Sequence, residues 1–124
     1  MGKGFKSLEV WRLSVALSVR VIKLTDTPSF KRDFGLVDQI RRSAVSVPSN
    51  IAEGDERGTD RESIRFFYIA KASLAELRTQ LIISGETGRI SYDQLDALEE
   101  ECQILAGKLG NLIISRSKKL KKLK

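Results

Sequence analysis

Residues 35–54 read Gly35-Leu-Val-Asp-Gln-Ile-Arg-Arg-Ser-Ala-Val-Ser-Val-Pro-Ser-Asn-Ile-Ala-Glu-Gly54. At about 100° per residue, Leu36, Val37, Ile40, Ala44, Val47 and Ile51 share one helix face. That stripe crosses Pro48 without losing phase, so the spacing predicts one helix over about 35–57, bent at the proline. Proline lacks an N–H, which releases the carbonyl of Ala44 from its helical bond. Ser46, Ser49 and Asn50 stand nearby to satisfy loosened backbone groups, and Gly58 suits the C′ position.

The pattern continues on both sides. Thr59-Asp60-Arg61-Glu62 spells a capping box, opening a helix to about Ser84. On it Phe67, Ala70, Leu74, Leu77 and Leu81 share the core face, and Ile64, Tyr68, Ala75 and Ile82 are expected to widen it. Gly85-Glu86-Thr87-Gly88 reads as a turn. Ser91-Tyr92-Asp93-Gln94 is a second capping box, followed by Leu95, Leu98, Cys102, Leu105, Leu109 and Leu112 at a/d spacing. Cys102 is expected to be a buried small hydrophobe, and Glu99, Glu100 and Glu101 a solvated face. Upstream, about Leu8 to Leu24 forms a helix with two opposed apolar stripes, ended by Asp26-Thr27-Pro28. One stripe is Leu8, Trp11, Val15, Val19 and Ile22; the other is Val10, Leu13, Leu17, Val21 and Leu24. Such a helix is either surrounded by its own chain or turns one stripe towards another subunit. Four amphipathic helices with short connections predict an all-α fold, an antiparallel up-down-up-down four-helix bundle over 1–115. Residues 116–124 then form a basic tail.

Charge is distributed unevenly. Of 22 Lys and Arg residues, against 16 Asp and Glu, six stand among the last nine residues: Arg116, Lys118, Lys119, Lys121, Lys122 and Lys124. The rest of the chain is balanced, although its first helix is basic and its fourth acidic. Histidine is absent and Cys102 is the one cysteine. The usual zinc, haem and iron–sulfur sites therefore lack ligands, and histidine-dependent nucleophilic triads are excluded. Successive glutamates at 99–101 point about 100° apart and cannot converge on one ion. Gly85-x-x-Gly88 lacks the strand and the Lys-Ser/Thr of a phosphate loop. No cofactor, no metal site and no enzymatic activity are expected. There is no apolar run of membrane-spanning length and no signal-peptide core, so the expected compartment is the cytoplasm.

Arg42, Ser46, Asn50 and Glu53, with Gln39 one turn earlier, lie along one side of helix two. Serine and asparagine are poor helix formers unless their hydrogen bonds are used, which points to a polar network. That network is either structural or a binding face.

The stretch "GLVDQIRRSAVSVPSNIAEG", then Arg57 and "FFYIAKASLAELRTQL" (66–81), with Phe5, Leu8 and Trp11 ahead, resembles the family of proteins encoded in intervening sequences of bacterial 23S rRNA genes. The resemblance covers roughly residues 5–115, and Gln39, Arg42, Ser46, Pro48, Asn50, Glu53 and Gly54 all match. It implies a four-helix bundle assembled as a homopentamer. It also implies kinship with the accessory variability protein of diversity-generating retroelements, which binds nucleic acid and a reverse transcriptase. In such an assembly the stripe Val10, Leu13, Leu17 and Val21 is the expected subunit interface. The lysine-rich tail is outside the family pattern.

These features favour a nucleic-acid-binding protein, with RNA the expected target. Candidate contacts are Arg41, Arg42, Arg57, Arg61 and Arg65, with Lys118, Lys119, Lys121 and Lys122 of the tail. No aromatic–basic recognition surface is evident in the sequence, so shape and charge reading is expected. The alternative is a ring-shaped adaptor that holds another protein. Leu120 and Leu123 among the lysines are too few for stable membrane binding.

Overall fold

The computed structural model of the protein describes residues 4–122 and contains four helices, with no strand among the described residues. They are α1 (Glu9–Thr25), α2 (Phe34–Asp55), α3 (Asp60–Glu86) and α4 (Tyr92–Lys122), with single 3₁₀ turns at Phe5–Ser7 and Pro28–Phe30. Each helix packs on the next in sequence, and α4 returns to α1, giving an up-down-up-down bundle. Leu123 and Lys124 lie outside the described residues.

The caps follow the sequence. Thr59 Oγ1 accepts from Glu62 N at 3.2 Å. Ser91 and Gln94 make the full reciprocal box: Ser91 N donates to Gln94 Oε1 at 3.0 Å, and Gln94 N to Ser91 Oγ at 3.1 Å. Asp33 caps α2. The left-handed glycine that closes a helix is Gly88 (φ 77°), after α3, and not Gly58. Arg89 N donates to Ser84 O at 2.9 Å and Gly88 N to Gly85 O at 3.1 Å, the two bonds of a Schellman ending. Gly85 itself belongs to α3.

α2 runs through Pro48 as one helix. The carbonyl of Ala44, released by the proline, is satisfied from another helix. Ser18 of α1 brings its hydroxyl to 2.6 Å from Ala44 O, and to 2.8 Å from its own-helix Ser14 O. The neighbours in α2 do not serve this carbonyl. Asn50 bonds to Ser46 instead.

The core takes Val10, Leu17 and Val21 from α1, with Ile40, Ala44, Val47, Ile51, Phe67, Leu74, Leu77 and Leu81 from α2 and α3. This overturns the expected subunit interface on α1. Val10, Leu17 and Val21 lie inside the single chain, and only Leu13 of that set is exposed. The reason is the small-residue row beside them. Ser14, Ser18 and Thr25 are buried too, and they let α1 lie close to α2. Of the other stripe Val19 is 47% exposed, while Trp11, Val15 and Ile22 are half-buried and Trp11 packs on the core.

On α3 the core face is narrower than its periodicity suggests. Tyr68, Ala75 and Ile82, each about 100° round from Phe67, Leu74 and Leu81, face outward. On α4, Leu98, Cys102, Leu105, Leu109 and Ile113 are buried. Burial, with Glu99 nearby, pushes the Cys102 thiol up to about 12, so it is a neutral packing group at physiological pH. The glutamates at 99–101 are not simply a solvated face. Glu99 pairs with Arg78 of α3, whose own pKa is raised by that hydrogen bond, and Glu101 pairs with Arg20 of α1. Only Glu100 of the three is exposed.

Candidate nucleic-acid interface

The bundle has two ends, and the candidate cations divide between them. α1 begins, α2 ends, α3 begins and α4 ends at the same end of the bundle. Arg57, Arg61, Arg65 and the α4 lysines gather there. Arg41 does not. It lies at the opposite end, where Nε donates to Thr25 Oγ1 at 2.8 Å and the guanidinium pairs with Asp26 at 2.7 Å. Arg42 is exposed on the flank of α2 and pairs with Asp38 at 2.9 Å.

The polar row on α2 also separates. Ser46 Oγ and Ser73 Oγ of α3 are 2.7 Å apart, and Asn50 Nδ2 donates to Ser46 O at 2.8 Å and to Ser46 Oγ at 3.0 Å. These side chains close the α2–α3 seam. Arg42 pairs with Asp38 one turn back on α2, Glu53 pairs with Arg57 just beyond the end of α2, and Gln39 is exposed. No single network links all five residues.

At the shared end, a hollow of about 490 Å³ is lined by Arg57, Thr59, Asp60, Arg61, Arg116 and Leu120. The Arg57 guanidinium carbon lies 4.4 Å from the Phe66 ring centroid, and that of Arg65 lies 5.6 Å away. Arg57 also pairs with Glu53 at 2.9 Å and Arg65 with Glu62 at 3.8 Å, both well exposed to solvent. Arg61 makes no ion pair among the described residues.

The basic run does not divide from the body at residue 115. α4 continues unbroken to Lys122, and Arg116 belongs to the body. Only 17% exposed, Arg116 pairs with Asp55 at 3.0 Å and Asp60 at 3.9 Å, and sits 5.4 Å from the Phe67 ring centroid. It thus joins α4 to the end of α2 and the start of α3. One turn on, Leu120 reaches the hollow. Lys118, Lys119, Lys121 and Lys122 extend from this anchored helix without an ion pair among the described residues. Cations in a last helical turn complement its partial negative charge.

Phe66, half-buried under Arg57, was not legible as part of this end, because Arg57 lies in the connection before α3 and Phe66 lies two turns into that helix. Arg116 was legible only as one more tail charge, because its partners Asp55 and Asp60 come from elsewhere in the chain.

Residues 6–111 match the family model of the 23S rRNA-intervening sequence protein. Among solved structures, the chain is similar to a protein of unknown function from the S23 ribosomal protein family of Bacteroides thetaiotaomicron. The likeness has a TM-score of 0.77 and 22% identity, over 84% of this chain and 97% of that one. No curated protein matches the chain. The chain belongs to the 23S rRNA-intervening sequence protein family.

Proposed function

We propose that this member of the 23S rRNA-intervening sequence protein family is a non-enzymatic RNA-binding protein of the cytoplasm, acting through the cationic end of its bundle. One observation carries the reading: four lysines without acidic partners among the described residues extend from α4 at the end of the bundle that holds Arg57, Arg61 and Arg65. Phosphates approaching this end meet exposed lysine charges and arginines whose present ion pairs are exposed and therefore weak. Arg41 and Arg42, at the far end and on the flank, are outside the proposed contact.

Titration of the full-length protein with RNA at rising salt tests it. The variant replacing Lys118, Lys119, Lys121 and Lys122 with Gln loses affinity, and its salt slope falls by up to about 3 for single strands, at about 0.7 per contact. Equal affinity and slope for the two proteins would rule out the lysines. Absence of binding at low salt would rule out the function.

We also propose that the protein self-associates, with a ring of five as the expected assembly, through the outer α1 stripe of Trp11, Val15, Val19 and Ile22. Its apolar side chains are half-buried and, at Val19, exposed, which supports an association surface. Light scattering of the wild type and of Val19→Lys tests this: the wild type is oligomeric and the variant shifts towards monomer. If both are monomeric, the proposal fails.

A further inference from the structure

Phe66, Phe67 and Tyr68 are consecutive on α3, so about 100° per residue sends them in three directions. Phe67 is core and Phe66 lies between two arginines. Tyr68 is 55% exposed and takes part in no ring pair with another aromatic among the described residues. Its face of α3 also carries Arg61 and Arg65, two turns and one turn before it, and Ala72 and Ala75, one and two turns after. The alanines leave the ring clear on one side, and the arginines flank it on the other. Glu62, paired with Arg65, and Glu76 are the acids bordering this face. The sequence showed no aromatic–basic surface; in the fold an exposed aromatic stands among arginines on this face.

We propose that this face binds unpaired RNA: a base stacks on the Tyr68 ring while its neighbouring phosphates lie against Arg61 and Arg65 and, across the hollow, Arg57. The inference rests on the RNA-binding reading above and adds to it the strand state and a stacking residue. Every base has a flat face, so an exposed ring beside cations takes single strands with little regard to sequence. A duplex keeps its bases stacked within the helix and offers only phosphate and groove to a convex helical surface. The exposed Arg65–Glu62 and Arg57–Glu53 pairs are of the weak surface kind, so a phosphate can replace either carboxylate. The lysines of α4 add attraction that does not distinguish the two strand states.

The test uses the full chain with two labelled RNAs of equal charge, an oligouridine and a duplex, read by fluorescence anisotropy at low salt. Tyr68→Ala weakens oligouridine binding roughly 5-fold or more. It leaves duplex binding and the oligouridine salt slope unchanged, since no charge is removed. Tyr68→Phe keeps the ring and keeps wild-type affinity. Equal oligouridine affinity of Tyr68→Ala and wild type overturns the inference. So does an equal loss on duplex, or a loss in Tyr68→Phe as large as in Tyr68→Ala. In any of these cases the lysine variant, if still weakened, leaves the RNA-binding reading standing. If neither RNA binds the wild type, both fall.

Discussion

The α2–α3 seam and the α1–α4 seam are both built from apolar stripes, yet one is closed and the other open. Between α2 and α3, Gly54 lies against the Phe67 ring so closely that a Cβ there would come within 2.7 Å of it. Ser63 donates to Gly54 O at 2.6 Å, and Ser46 meets Ser73. Between α1 and α4 the facing residues are Leu13, Leu17 and Leu24 against Leu98, Ile104 and Leu105, and hollows of about 170 and 330 Å³ lie along the seam. The ion pairs Arg20–Glu101 and Lys108–Glu9 bridge it. Apolar stripes decide that two helices pack; glycines and hydroxyls decide how near they come.

The largest expected effect attacks the closed seam. Phe67→Ala removes the ring beneath Gly54 and destabilises the fold by about 3–5 kcal/mol, read from the urea midpoint. Next comes Ser18→Ala, which strands the Ala44 carbonyl at a cost of about 1–3 kcal/mol. Its diagnostic is a double-mutant cycle. In a Pro48→Ala background the restored N–H serves Ala44, so Ser18→Ala costs clearly less there. Additivity of the two changes would show that Ser18 does not replace the missing helical bond. Gly54→Ala follows. Overpacking against Phe67 costs about 1–3 kcal/mol, of which helix propensity returns about 1. A stabilised Gly54→Ala would mean that the seam has slack. The smallest effect belongs to the open seam. Arg20→Gln removes a solvent-exposed bridge and changes stability by less than about 1 kcal/mol, so a loss above 2 would make the ion pair a principal tie between α1 and α4.

The helices, their caps and the passage of α2 through Pro48 were legible because each depends on spacing within one segment. What was not legible depends on neighbours. Two opposed stripes on α1 are equal by periodicity. Only the row Ser14, Ser18 and Thr25, small enough to lie against α2, marks which stripe turns inward. Tyr68 read as core because it borders Phe67 on the helical wheel, whereas the single layer of α2 and α4 covers a narrower arc of α3. At the candidate interface the arginines near the α2–α3 turn were legible as a cluster. Arg41 read equally well as a member, and only the contact with Asp26 assigns it to the other end. The division of the tail at residue 115 rested on counting charges along the chain, which does not register that Asp55 and Asp60 meet Arg116.

Arg116 acts as the fixed bearing of a shaft. Because α4 is continuous from that anchor to Lys122, each lysine from Lys118 to Lys122 has a set compass direction about the helix axis. Lys118, Lys121 and Lys122, three and four positions apart, point to nearly the same quarter, and Lys119 to the next. Inserting a single alanine between Arg116 and Lys118 adds no charge and removes none, yet rotates the whole set by about 100°. A flexible appendage would be indifferent to that insertion; a keyed shaft is not.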